Sequence, residues 1–185
     1  MRVVAGSLRG RRLVAPAGPA TRPTSDRVRE ATFNALASLD VLRDATVLDL
    51  FAGSGALGIE ALSRGAARCS FVEQGRPAIV AVRQNLDALG LSDRATVVTM
   101  DADRYLASAA TGRFDLALAD PPYAYDGWAG LLDAVPAGVL VAESDRAVEA
   151  SAGWDLVRSR RYGTTHVTIL RRTPPPGTAE RGDDA

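Results

Sequence analysis

Residues 47–58 read VLDLFAGSGALG. An apolar run (Val47, Leu48, Leu50, Phe51) gives way to the small-residue turn Ala52-Gly53-Ser54-Gly55, and a helical pattern begins at once. A strand, a tight glycine turn and a helix in that order predict the opening unit of an open α/β sheet. Ligands bind just beyond such a turn, where backbone N–H groups at the helix N-terminus are exposed. Gly53, Gly55 and Gly58 also satisfy G-x-G-x-x-G, so the glycines alone do not name the ligand.

Outward from this stretch the chain alternates. Strands are predicted over 45–51, 69–73, 95–100, 114–119 and 138–142, and helices over 55–64, 76–89, 103–110 and 127–134, with Gly90 as a C-cap. Two last runs, 154–161 and 165–171, flank Tyr162-Gly163-Thr164 and can pair antiparallel. The pattern predicts a Rossmann-like α/β fold: a mostly parallel, seven-stranded sheet with helices on both faces, closed by a terminal hairpin. Before it, Thr24-Ser25-Asp26 supplies a cap for a helix over 26–39. Val28, Ala31, Ala35, Leu36 and Leu39 are expected on its buried side, with Arg27 and Arg29 on other faces. The runs 2–5 and 11–15, joined by Gly6-Ser7-Leu8-Arg9-Gly10, read as a β-hairpin, and Pro16 to Pro23 as a linker leaving it partly detached. The expected organisation is therefore a basic arm and linker (1–20), a catalytic domain (21–172) and a polar, proline-rich, disordered tail (173–185).

At 185 residues, 46% apolar and 24% charged, the composition is that of one ordinary globular domain. No apolar run approaches the roughly 18 residues of a membrane span, so no membrane partner is expected. A single cysteine, Cys69, forbids an intrachain disulfide, and one histidine, His166, argues against zinc, so the expectation is a metal-free protein of the reducing cytoplasm. The net charge is zero, yet residues 1–43 carry eight Arg against three acids, residues 44–155 eight against sixteen, and residues 156–185 six against three. An acidic middle between basic ends suggests a polyanion-binding face assembled from the two termini. Arg2, Arg9, Arg11, Arg12 and Arg27 would supply it from the first end, Arg160 and Arg161 from the other. All 22 basic residues are arginine, which is a property of the whole chain and assigns no site.

Three acids close successive strands or sit within them. Asp49 can reach a ligand ammonium or order the turn. Glu73, 20 residues past Gly53, stands where an acid accepts ribose hydroxyls, and Asp101, beside the Ala102 N–H, where one accepts from an adenine amino group. The most specific stretch is Asp120-Pro121-Pro122-Tyr123. Two prolines impose an extended path after the strand. That path can aim the Asp120 carboxylate and the Pro121 carbonyl into the cleft as two acceptors for the two N–H bonds of a base amino group. Tyr123 can stack on a base lifted from its helix or loop. With the glycine turn, this points to S-adenosylmethionine as cofactor and a nucleic-acid base as methyl acceptor. Cys69, inside a strand beside Phe71, reads as core rather than nucleophile, His166 as a surface residue, and Trp128 and Trp154 as packing residues.

VLDLFAGSG with DPPY resembles the class I S-adenosylmethionine-dependent amino methyltransferases. RVVAGSLRGRRLVAP followed by TRPTSDRVREATFNAL resembles the bacterial RsmD family, which modifies a guanine N2 in 16S ribosomal RNA, and the resemblance spans residues 1–172. It implies that the arginine-rich hairpin helps bind 16S rRNA of the small subunit. It further implies that Arg22 and Thr24 close over the cofactor, that Phe51, Ala52, Gly53, Ser54, Gly55, Asp49, Glu73, Asp101 and Ala102 surround it, and that Asp120, Pro121, Pro122 and Tyr123 serve catalysis. A monomer is expected. The residues leave two other readings open: a DNA methyltransferase acting on adenine N6 or cytosine N4, and a catalytically silent RNA-binding assembly module. A nicotinamide oxidoreductase would use the same glycines but leaves the Asp120 to Tyr123 run without a role.

Overall fold

A computed structural model describes residues 1–17, 25–108, 112–122 and 124–174. Arg22, Thr24 and Tyr123, and the tail from residue 175, lie outside the described residues. The first helix, α1 (Asp26–Ser38), starts where Ser25 stands in extended conformation and its Oγ accepts the Val28 N–H, with Asp26 in the first turn. Then β1 (Thr46–Leu50), α2 (Ala56–Ser63), β2 (Arg68–Glu73), α3 (Arg76–Leu89), β3 (Ala95–Thr99), α4 (Ala102–Leu106), β4 (Phe114–Ala119), α5 (Trp128–Ala134), β5 (Ala137–Ser144), β6 (Trp154–Tyr162) and β7 (Thr165–Arg172) follow, with a 3-10 turn at Ser92–Arg94. The predicted strands and helices form close to their expected bounds, except that α4 ends at Leu106, short of the expected 103–110, whose last two residues lie outside the described ones. Gly90 ends α3 in the left-handed conformation (φ 67°).

The seven strands lie in the order β3-β2-β1-β4-β5-β7-β6. The first five are mutually parallel, and β7 runs antiparallel to both of its neighbours, β5 and β6. The sheet is therefore mixed at one end, and β6 points the same way as β4 and β5. Chain order reverses at β1, which is flanked by β2 and β4. A crevice opens there beyond the strand C-termini, because the crossovers on the two sides leave in opposite directions.

Side-chain alternation along β1 divides the core. Val47 faces one layer with Phe33 and Leu36 of α1, Ile59 and Leu62 of α2 and Val82 and Leu86 of α3. Leu48 and Leu50 face the other, with Leu106 of α4 and Leu131 of α5. The two-residue period puts Asp49 on the Val47 side, beneath α2.

Two sequence expectations change. The N-terminal hairpin forms, with Arg2 bridging Arg12, but it is not detached. Val3 and Leu13 are buried in the core. The fully buried Glu60 of α2 draws the hairpin in as well, accepting the Val4 and Ala5 N–H groups at 2.8 and 3.0 Å. Farther along, Ser63 accepts the Ser7 N–H on its carbonyl and the Leu8 N–H on Oγ. Arg29, expected on an outer face, is fully buried: its guanidinium donates to Asp26 (2.7 Å) and to the Arg2 carbonyl (2.6 Å), and its Nε lies 3.7 Å from Glu60. A buried carboxylate demands donors and counter-charge, and α1 and the hairpin together provide them. Ala31 and Leu39 are only half-buried, while Thr32 and Phe33 take the inner positions.

Candidate active site

The glycine turn is held from below and from the side by two carboxylates. Asp49 is 1% exposed, and its Oδ2 accepts the Gly58 N–H at 2.9 Å. That N–H is one of the unpaired donors of the first turn of α2, and the N-cap, Gly55, has no side chain with which to cap it. Asp49 caps the helix from the strand instead. Burial pushes its carboxyl well above the usual range; the Gly58 hydrogen bond partly offsets this, and the negative charges of Asp120 and Glu73 add to it. Through this hydrogen bond Asp49 orders the turn.

Glu73, at the end of β2, grips the turn from the side. Its Oε2 accepts the Gly53 N–H at 2.9 Å, and its Oε1 the N–H groups of Gln74 (2.9 Å) and Gly75 (2.7 Å). The three glycines serve different needs. Gly53 sits at φ 57°, and a Cβ there would meet nothing closer than the Phe51 carbonyl oxygen at 3.9 Å, so its α-face is open to a ligand. Gly55 (φ 79°) would press a Cβ to 2.6 Å from Val82 Cγ2 of α3. A Cβ on Gly58 would meet Cys69 Sγ at 2.6 Å and the Phe71 ring closer still, so this glycine lets α2 lie flat on β2. Phe51 itself adopts φ 59°, a costly conformation for an aromatic residue, at the point where the chain leaves β1 for the turn. Ala52 and Ser54 are buried within the turn.

Across the crevice, Asp120 follows β4 and is half-buried, Pro121 is buried and Pro122 is exposed. The Tyr125 N–H donates to the Pro122 carbonyl at 2.8 Å. Tyr125 then spans the mouth of the site. Its ring meets Phe51 edge-on at 5.2 Å and Trp128 at 5.4 Å, and its hydroxyl donates to Asp103 Oδ1 at 2.8 Å. Burial and the Asp103 carboxylate hold this phenol well above its ordinary pKa, so it remains a donor. Asp101 is the N-cap of α4, accepting the Arg104 N–H at 3.0 Å, and Ala102 behind it is buried. Asp49, Glu73, Asp101 and Asp120 thus stand at or beyond the C-terminal ends of four adjacent parallel strands, around the switch point.

The arginines divide into two groups. Because β6 runs with β4, Arg160 and Arg161 lie at the crevice end of the sheet, exposed, three strand spacings (roughly 14 Å) from β4. The hairpin instead lies lengthwise on α2. Its tip, carrying Arg9, reaches Ser63, about 12 Å of helix away from the glycine turn. Arg11 donates to the Ala88 carbonyl near the end of α3; Arg2, Arg9, Arg12 and Arg27 are exposed. Cys69 is buried and burial raises its thiol pKa, as a core residue requires. Trp128 and Trp154 are buried packing residues; Trp154 Nε1 donates to the Leu132 carbonyl, and the Arg172 guanidinium stacks 4.2 Å from its ring. Among the described residues no cluster of potential metal ligands occurs, and no helix is long and apolar enough to cross a membrane.

Sequence reasoning missed Tyr125, Glu60, Arg29 and Asn85. The aromatic spacing in PPYAYDGW signals Tyr125, and Glu60 and Asn85 stand out as lone polar residues on the apolar stripes of their helices.

The chain resembles known proteins over nearly its whole length. The family model described as "Conserved hypothetical protein 95" matches residues 1–171. A Bacillus subtilis (strain 168) protein named "Putative rRNA methyltransferase YlbH" is 44% identical over 185 residues, covering 93% of this chain and 99% of that protein. The "Ribosomal RNA small subunit methyltransferase D" of Escherichia coli (strain K12) is 45% identical over 123 residues, covering 66% of this chain and 60% of that protein. The solved structure named "Putative methyltransferase yhhF from Escherichia coli" superposes with a TM-score of 0.80 at 36% identity, covering 93% of this chain and 97% of that one. With its sheet order, glycine turn and hairpin accounted for, this chain belongs to the conserved hypothetical protein 95 family, the RsmD family whose motifs its sequence carries.

Proposed function

We propose that this protein is an S-adenosylmethionine-dependent methyltransferase that modifies the exocyclic N2 of a guanine in 16S rRNA of the small ribosomal subunit. The observation that carries it is the placement of Asp120 and Pro121 across the switch-point crevice from an open glycine turn. Family membership and the relatives' names support rRNA as the substrate; Asp120 and Pro121 support an amino group as the acceptor.

The cradle suits the cofactor. Gly53 leaves room where a Cβ would project, the N-terminus of α2 faces the crevice, and carboxylates end the neighbouring strands. The proposed holding residues are Phe51 to Gly55, Glu73, Asp101 and Ala102, with Asp49 stabilising the turn from beneath and Arg22 and Thr24 closing over. S-adenosylmethionine, when bound, supplies an electrophilic methyl group on a sulfonium. Asp120 and the Pro121 carbonyl accept the two N–H bonds of the guanine amino group and so aim its lone pair. Tyr123 stacks on the extruded base. The amino nitrogen would take the methyl carbon as the sulfur–methyl bond breaks with its electron pair left on sulfur, giving neutral S-adenosylhomocysteine. The nitrogen would then release a proton, for which the Asp120 carboxylate is the nearby acceptor. Positioning and electrostatics supply the rate, and no strong base is needed. Arg160 and Arg161 flank the crevice, and the hairpin arginines Arg2, Arg9, Arg11 and Arg12 with Arg27 grip RNA backbone farther away. A monomer acting in the cytoplasm fits this reading.

The test uses purified protein, labelled S-adenosylmethionine and small subunits from a strain lacking the modification, with the labelled nucleoside identified by mass spectrometry. N2-methylguanosine is expected. Label on DNA instead would favour the DNA methyltransferase, and no transfer with no cofactor binding would favour the assembly module. Asp120→Ala should slow transfer at least ~100-fold, the scale seen when one transition-state hydrogen bond is removed (roughly 3 kcal/mol), while leaving the cofactor Kd unchanged. Loss of both would move Asp120 into the cofactor site.

A further inference from the structure

Asn85 of α3 is 2% exposed, and both ends of its amide are engaged. Its Oδ1 accepts the Val14 N–H at 2.7 Å. Its Nδ2 donates to the Val14 carbonyl at 2.9 Å and, with its other hydrogen, to the Ser54 carbonyl at 2.9 Å. The side chain mimics a strand partner for the end of the hairpin and at the same time fixes a peptide in the middle of the glycine turn. The i+4 donor to Ser54, the Gly58 N–H, is turned away to Asp49. Asn85 therefore supplies a hydrogen bond that the helix does not. An inverted amide would set Nδ2 against the Val14 N–H and Oδ1 against two carbonyls, so only one orientation works.

We infer that Asn85 is a positioning residue that makes docking of the hairpin and the shape of the cofactor turn one cooperative unit, so that each strengthens the other. This rests on the glycine turn being the cofactor site. The Ser54 peptide lies between Gly53 and Gly55, whose left-handed conformations interrupt regular hydrogen bonding; within the turn, the Gly55 N–H donates to the Ala52 carbonyl at 2.7 Å. Val14, at 53% exposure, is not held by burial of its side chain. Each partner has its own anchors, Asp49 and Glu73 for the turn and Glu60 and Ser63 for the hairpin, and Asn85 is the side chain that bonds to both. Coupling of this kind is reciprocal: whatever orders the turn must hold Val14, and whatever pulls on the hairpin must loosen the turn.

Two measurements on the full chain test it. Asn85→Asp preserves size and the acceptor for Val14 but sets oxygen against both carbonyls; Asn85→Leu keeps the branched skeleton but replaces both polar groups with bulkier methyl groups. Each is expected to weaken S-adenosylhomocysteine binding by calorimetry about tenfold, with a smaller change in the RNA KM. The second measurement needs no variant: in the wild-type chain, saturating S-adenosylhomocysteine should slow hydrogen exchange at the Val14 amide. Gly53→Val serves as the control for the site itself. If Gly53→Val abolishes binding while both Asn85 variants bind normally and Val14 exchange is unmoved, the coupling is wrong and the site stands. If Gly53→Val binds normally, the site assignment fails instead. Should the Asn85 variants not fold, the Val14 exchange result alone decides.

Discussion

At the scale of single residues, the glycine turn is a case in which one residue type answers three demands. Gly53 and Gly58 make the contrast testable. Gly58→Ala drives a methyl into Cys69 and Phe71, and overpacking of this kind costs about 1–3 kcal/mol. A lower melting temperature with an unchanged cofactor Kd for the folded fraction is expected. Gly53→Val should lose the cofactor, since its Cβ would project into open space, and it adds the backbone strain of a β-branched residue at φ 57°. Calorimetry on the folded fraction of both variants separates the two roles, and equal losses of cofactor affinity in both would dissolve the distinction. Asp49 makes a second prediction. Its carboxyl has a raised pKa in the folded protein, so the fold binds that proton more tightly than the unfolded chain does. The contribution is fully present below the unfolded pKa, about 4, and is lost as pH rises through the higher folded value. Asp49→Asn keeps an acceptor for Gly58 and removes the charge, so its melting temperature should vary less with rising pH than the wild type's. Parallel profiles for the two proteins would show that Asp49 is not the group responsible.

At the scale of elements, the N-terminal hairpin is the part whose behaviour the structure redefines. Glu60 accepts two of its N–H groups and lies within reach of Arg29 and Arg64, all inside the core. Removing one partner of a buried charge network leaves the others unpaired, which costs roughly 3–5 kcal/mol. Glu60→Gln should therefore lower the unfolding free energy from urea titration by about 3–5 kcal/mol and expose the hairpin amides to exchange first. A change below about 1 kcal/mol would mean that water or another group compensates. Helix periodicity made α1, α2 and α3 legible, because the apolar positions of each outnumber the exceptions. It did not show Arg29 or Glu60 turned inward. A charged residue on a buried stripe is stable only with its partner, and the partner belongs to another element.

At the scale of the whole molecule, the proposed RNA surface has two separate stations. Arg160 and Arg161 stand at the crevice end, whereas Arg9 at the hairpin tip lies beside the far end of α2. A substrate touching both must reach from the C-terminal end of β6 to the C-terminal end of α2. Arg9→Ala with Arg12→Ala should weaken RNA binding and lower the slope of log K against log salt by roughly 1.5, at about 0.7 to 0.9 for each phosphate no longer neutralised. Substitution is the right probe here, since deleting the hairpin would also remove Val3 and Leu13 from the core. An unchanged slope by fluorescence anisotropy would take the tip out of the RNA interface. Strand, turn and helix order, the glycine turn, the crevice acids and the Asp120-Pro121-Pro122 run were all readable in the amino-acid sequence. They depend on local rules: alternation, helical spacing, and the few residues that a tight turn or a missing N–H permits. The tertiary structure alone decided that Asp49 caps α2, that the hairpin is docked, and that Tyr125 and Asn85 brace the site. Those facts rest on hydrogen bonds between groups far apart in the chain, 56 residues for Val4 and Glu60 and 71 for Val14 and Asn85. Burial makes such pairings obligatory, but a sequence pattern records only that a polar residue needs a partner, and folding chooses which one.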